Sequence, residues 1–176
     1  VRYTHPVQYL GIDLGDKRTG LALGDGESGI ASPLMGLEIP VAADKGRALI
    51  EAIASVAEEH RPGAVVVGLP LNMEDGSEGP AALRARAFAQ RLAERLALPV
   101  LCYDERLSSS EADWSMARSG LTRGQKKARR DALAAAVILG DFLASLRPPN
   151  RAAGDDQADE DQSEEDESSL ADGSDR

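Results

Sequence analysis

Residues 9–23 read YLGIDLGDKRTGLAL, two apolar stretches on either side of GDKR, with one carboxylate, Asp13, set inside the first. The polar tetrapeptide is a turn signal and its flanks are strand-like, so the segment predicts a β-hairpin. An ionised carboxylate taken out of water costs several kcal/mol unless it is paired, hydrogen-bonded or bound to a metal. Asp13 therefore needs a partner, and the rest of the chain must supply it.

Working outward, residues 7–14, 19–25 and 30–39 are apolar stretches separated by GDKR and DGESG, which predicts three strands joined by hairpins. AADKGRALIEAIASVAEEH follows with helical periodicity, Leu49, Ile50, Ile53 and Val56 falling on one stripe, and ends before Pro62. AVVVGLP is a short strand apolar on both faces. A polar loop, LNMEDGSEG, leads into an Arg-rich amphipathic helix from about Pro80 to Leu96, and PVLCYDE reads as another strand. Ser108 and Glu111 stand at capping-box spacing and open a helix through about Arg118. A last helix runs from Arg123 or Ala128 to Leu146, where RPPN stops it. Consecutive hairpins imply antiparallel pairing and strands separated by helices imply parallel pairing. The fold class is therefore α/β, a mixed five-stranded sheet with helices on both faces.

The 176 residues suffice for one domain with a real core. No run of about 18 apolar residues is present to span a bilayer, and the first ten residues lack the basic and apolar regions of a signal peptide. A soluble chain with no membrane partner is expected. The single cysteine, Cys102, reads as a small buried apolar residue, which fits a cytoplasmic location. His5 and His60 are isolated, so zinc is not expected. The net charge of −10 is unevenly placed: Arg151 to Arg176 holds 11 acidic and 2 basic residues, and residues 1–150 are close to neutral. Residues 1–148 are thus expected to form the domain and 149–176 a disordered acidic tail. Such a tail either solubilises, or competes with nucleic acid for a basic site on its own domain.

Two further regions can meet Asp13. Asp104 and Glu105 end the last strand and point to opposite faces, so only one of them can share a site. Ala128, Asp131, Ala135, Ile138 and Phe142 lie on one helical stripe, which turns Asp131 toward the sheet. Read alone, each acid could equally be a capping or ion-paired group, Asp131 with Lys127 or Arg130. Read together they suggest a carboxylate cluster, which repels itself unless divalent cations neutralise it. Magnesium or manganese suits all-oxygen ligands, and two such ions suit phosphoryl transfer.

GIDLGDKRTGLAL, VVGLPLNMEDGSEG, DERLSS and KKARRDALAAAVIL, in this order, resemble the YqgF (RuvX) family. These are Holliday junction resolvases, also regarded as pre-16S rRNA nucleases, of the RNase H-like superfamily. The resemblance covers about residues 8–146. It implies an RNase H-like fold and assigns Asp13, Glu105 and Asp131 as the catalytic acids and ligands of two Mg2+ or Mn2+ ions; whether Asp104, in the same DERL segment, joins the site is left open. One departure is visible: the family loop has one acid between L-N-M and glycine, whereas here Glu74 and Asp75 both stand there.

The expected activity is metal-dependent phosphodiester hydrolysis, with 5′-end maturation of the 16S rRNA precursor as the role the resemblance implies. Substrate contacts are expected from Gly15, Lys17 and Arg18 in the turn, Asn72 in the loop, Arg106, and Lys126, Lys127 and Arg130 beside Asp131. Arg84, Arg86, Arg91 and Arg95 form a second basic set or an ordinary solvated helix face. With few aromatic residues, recognition by backbone and shape is favoured over base stacking. The alternatives are a resolvase of four-way DNA, which calls for a dimer, a non-catalytic nucleic-acid-binding module, and an actin-like kinase or ATPase, for which the chain is too short. Nothing in the residues separates RNA from DNA or monomer from homodimer.

Overall fold

A computed structural model describes residues 8–104 and 123–147. Its strands are β1 (Gln8–Leu14), β2 (Thr19–Asp25), β3 (Ala31–Leu37), β4 (Ala64–Leu69) and β5 (Val100–Asp104), and its helices α1 (Arg47–His60), α2 (Pro80–Leu96) and α3 (Arg123–Ser145). The sheet order is β3-β2-β1-β4-β5. β2 runs antiparallel to both β1 and β3, while β4 pairs parallel to both β1 and β5. This is the mixed sheet that the hairpins and the strand–helix alternation imply.

Strand alternation divides the core. Leu10 and Ile12 of β1, Leu21 of β2, and Val65 and Val67 of β4 pack against Leu49, Ile50, Ile53 and Val56 of α1 and Phe88 and Leu92 of α2. Tyr9, Ala22 and Val66 face the other way, against Ala135, Ala136, Leu139, Phe142 and Leu143 of α3. The Phe142 ring meets Tyr9 and Tyr103 edge-on, each at 5.6 Å between centroids. β4 is buried along its whole length because helices cover both its faces.

The helix expected from Ala42 begins only at Arg47. Ala43–Gly46 form a 3-10 turn in which Asp44 and Lys45 are left-handed, and Gly46 at φ 82° starts α1. A residue in that conformation cannot continue a right-handed helix, so the apolar stripe from Leu49 sets α1 and AADKG does not. The last helix takes the earlier of its two expected starts, Arg123. The helix expected over 108–118 and the tail from 149 lie outside the described residues.

Candidate active site

β1, β4 and β5 are mutually aligned, so Leu14, Leu69 and Asp104 all stand at one edge of the sheet. Open α/β sheets place their functional groups at this carboxyl edge. Asp13 lies there on the α3 face, sharing the parity of Tyr9 and Gly11 along β1.

Asp131 reaches Asp13 because β2 carries no side chain at the position opposite Asp13. In the β1–β2 register Asp13 stands opposite Gly20, and in the β2–β3 register Gly20 stands opposite Gly36. A Cβ on Gly20 would overlap the main-chain carbonyl oxygen of Asp131, and one on Gly36 would lie 2.8 Å from both Cα and O of Ala128. α3 therefore lies directly on the backbones of β2 and β3, and its acid comes down beside the acid of β1. Glycine inside a strand marks such close backbone approach. These glycines stand in the sequence, but the pattern of acids alone does not reveal their role.

The electrostatics follow from the placement. Burial raises the Asp13 carboxyl above the usual carboxylate range, and the neighbouring Asp131 raises it further. Burial raises Asp131 as well, while the nearby Arg18, Arg130 and Lys127 pull it down and Glu38 adds to the rise. Oδ2 of Asp131 is buried without a hydrogen-bond partner, as is Oγ1 of Thr19, the residue before Gly20. Two half-buried carboxylates in mutual repulsion, one with an orphaned oxygen, suit a hard divalent cation. Among the described residues no three His, Cys, Asp or Glu side chains gather into a metal-holding group. Glu105, the expected third acid, and Arg106 lie outside the described residues.

β5 alternates as expected. Cys102 packs with Leu69 and Ala82 on the α2 face and Tyr103 on the α3 face, so Asp104 takes the parity of Cys102 and faces away from Asp13.

The other expected contacts divide. Arg18, Lys127 and Arg130 converge electrostatically on Asp131, and Arg18 also donates from Nε to Glu38 at 3.0 Å. Lys17 is exposed in the turn. Gly15 serves the hairpin instead, since its N–H donates to the carbonyl of Arg18 at 3.0 Å and a Cβ there would sit 2.6 Å from that oxygen. Its amide closes the turn. Asn72 likewise folds its own loop, donating from Nδ2 to Ser77 Oγ at 2.6 Å and from its main chain to Ser77 O at 3.0 Å. Lys126 lies on α3, within its first two turns. The arginines of α2 are held within the domain, Arg84 by Asp16, Arg86 by Glu78, Arg91 by the carbonyl of Lys45 and Arg95 by Glu51.

The RuvX family model, described as Holliday junction resolvase, matches residues 7–145. The chain belongs to the RuvX family. A relative from Pelotomaculum thermopropionicum is 40% identical over 148 residues, 84% of this chain and 94% of its own length, and bears the name "Putative pre-16S rRNA nuclease". One from Anaeromyxobacter sp. (strain Fw109-5) bears the same name and is 46% identical over 138 residues, 78% of this chain and 96% of its own. Among solved structures, T. thermophilus RuvC in complex with Holliday junction substrate aligns with a TM-score of 0.50 at 17% identity, covering 80% of this RuvX-family chain and 95% of that one. At that identity the likeness speaks for the RNase H-like fold alone. No described helix is long and apolar enough to cross a membrane.

Proposed function

We propose that the domain, residues 1–148, is a metal-dependent nuclease that hydrolyses phosphodiester bonds in the 5′ leader of precursor 16S rRNA in the cytoplasm. Asp13, Glu105 and Asp131 are its catalytic acids. The observation that carries this reading is the pair Asp13 and Asp131, brought together by backbone packing and leaving one carboxylate oxygen of Asp131 buried and unpartnered. The names borne by relatives at 40 and 46% identity favour RNA over branched DNA.

The three acids would hold one or two Mg2+ or Mn2+ ions, which when bound supply an activated water and charge stabilisation at the leaving oxygen. The chain's own residues do the rest. Arg18, Lys127 and Arg130 neutralise the phosphates on either side of the scissile bond, and Lys17, Lys126 and Arg106 extend that contact along the backbone. Glu38 orients Arg18 through its ion pair. The hairpin turn closed by Gly15 carries Lys17 and Arg18 just beyond the strand that holds Asp13.

The test is cleavage, with manganese and with EDTA, of a labelled RNA carrying the precursor leader and of a four-way DNA junction, comparing wild type with Asp13→Asn. Metal-dependent cutting of the RNA that falls at least about 100-fold in the variant is the expected result. Symmetric cutting of the junction would move the substrate to branched DNA and call for a dimer. Binding without cutting of either, unchanged by the substitution, would overturn the catalytic reading.

A further inference from the structure

We propose that the groove between the edge of β3 and the start of α3 is a subsite for one unpaired nucleobase of the substrate strand, stacked on Arg129. This rests on the reading of the neighbouring acids as a nuclease site. It adds that a nucleotide beside the scissile bond is held out of any duplex. The groove has a volume of about 490 Å3, with residues 33–36 of β3 on one side and Ala128, Arg129 and Ala132 of α3 on the other. Ala132 follows Asp131 in α3, while Gly36 pairs with Gly20 and Gly20 with Asp13. Two strand spacings separate β3 from β1, so the groove lies about 10 Å to the side of Asp13. That is too far for the phosphate under attack and suits the base of an adjoining nucleotide.

The lining has the chemistry of a planar, partly apolar ligand. Pro33, Leu34, Met35 and the two alanines offer apolar surface, and Arg129 is the charged residue among them. A concave site of this size, mostly apolar with a few polar groups, is the usual form of a small-ligand pocket. A guanidinium is planar and stacks on π-systems, and every base has a π-face. None of the lining residues is aromatic, so the exposed Arg129 supplies the stacking plane.

The strand edge adds hydrogen-bonding groups and disfavours a protein occupant. Among the described residues β3 ends the sheet, and an edge strand turns a row of N–H and C=O groups outward. Met35 pairs with Leu21 and Pro33 with Ala22, which leaves Leu34 as an extra residue. Such a bulge interrupts the ladder and bends the strand. Pro33 has no N–H to give, and proline and bulges on an edge both oppose the addition of another strand. The edge is thus poorly suited to a second copy of the chain or an extended peptide. It keeps single donors and acceptors, which a base can meet with the donors and acceptors of its own edges.

The experiment titrates the full chain, in EDTA, with adenosine 5′-monophosphate and separately with ribose 5-phosphate, which carries the sugar and phosphate without a base. Amide signals of residues 34–36 and 128–132 should shift with the first probe and stay in place with the second. Arg129→Ala and Arg129→Lys should each weaken that binding about tenfold, because lysine keeps the charge and loses the stacking plane. In cleavage with manganese, bases are removed one at a time from a labelled single-stranded RNA leader. One abasic position beside the cut should lower kcat/KM about tenfold in wild type, and the same lesion should cost Arg129→Ala nothing further. Equal shifts from both probes would make the groove a phosphate site and overturn the proposal, as would shifts confined to another face. Shifts of the same amides on dilution of the protein alone would put a second copy in the groove and overturn it too. If the monophosphate binds as expected but neither RNA nor a DNA junction is cut, the base site stands and the nuclease reading fails. If RNA is cut but base removal costs wild type and Arg129→Ala alike, the nuclease reading stands and the base site fails.

Discussion

The two faces of the sheet are built on different terms. On the α1 and α2 side, Leu10, Ile12, Leu21, Val65 and Val67 interdigitate with large aliphatics and Phe88, all buried. On the α3 side the strands present Gly11, Gly20, Gly24 and Gly36, and α3 lies on them with Ala128, Asp131 and Leu139 as its nearest parts. The first face is a conventional core, where area buried is what matters and a methylene more or less shifts stability smoothly. The second trades side-chain volume for closeness, and the closeness brings a helix acid to a strand acid. Packing there sets a catalytic distance, so its errors are read in activity before they are read in stability.

The largest combined loss of stability and activity is expected from Gly20→Ala. The added methyl would overlap the carbonyl of Asp131, which is backbone and cannot rotate away. α3 must lift at the one point where its acid meets Asp13. We expect a loss of about 3 kcal/mol from overpacking, and a loss of metal-dependent cleavage of about 100-fold in the protein that remains folded, the cost typical of a misplacement of about 1 Å. Gly24→Ala provides the contrast. Its methyl would meet the side-chain ends of Leu139 and Leu143 at 2.7 and 2.8 Å, and these can shift. It should cost about 1 kcal/mol and leave cleavage within about threefold. Urea unfolding and turnover with manganese measure both. Equal losses of activity in the two variants would mean that the glycines only pack the helix and do not position Asp131.

The opposite face should show the reverse ratio. Ile53 is fully buried against the sheet, and Ile53→Ala should cost about 2–5 kcal/mol. Far from the acids, it should leave turnover per folded molecule unchanged below the melting transition. A drop in that turnover to the level of Gly20→Ala would break the distinction between the faces.

Much of this arrangement is legible in the sequence. Asp13 stood out because an acid in a buried strand demands a partner, and the stripe through Ala128, Asp131 and Ala135 already turned the helix acid inward. The strand order followed from hairpins first and helices later. Three things were not legible, and for one reason: the identity of a partner distant in sequence is not encoded locally. The sequence leaves the α2 arginines open between a basic track and a solvated helix face, because nothing nearby in sequence shows that Glu51 meets Arg95 or that Asp16 meets Arg84. Gly15 and Asn72 also make turn-closing bonds that periodicity does not reveal. The glycines of β2 were visible, yet their meaning depended on which helix would cross them and where. Ala42 to Gly46 failed differently: helical composition there is overridden by the left-handed backbone leading into α1.

The smallest expected effect tests whether burial alone makes an α3 acid functional. Asp141 lies ten residues beyond Asp131 on the same helix, and it too has a buried carboxylate oxygen without a partner. Burial raises its carboxyl above the ordinary value of 3.8, with no neighbouring charge contributing. Asp131, by contrast, sits among Arg18, Arg130, Glu38 and Lys127 and raises Asp13. Asp141→Asn should therefore leave cleavage unchanged, whereas Asp131→Asn should abolish it. The sign of the stability change is set by the raised folded-state pKa: the ionised form is penalised in the native state at neutral pH, and the penalty fades as the pH falls below the unfolded value. The Asn variant should thus melt slightly higher than wild type at about pH 7, and the two should converge towards about pH 3.5. Solvent reaches part of the residue, so the gain stays below about 1 kcal/mol. A loss of cleavage in Asp141→Asn would extend the functional surface along the whole of α3, and the contrast between a packing face and a positioning face would then have to be redrawn within the helix itself.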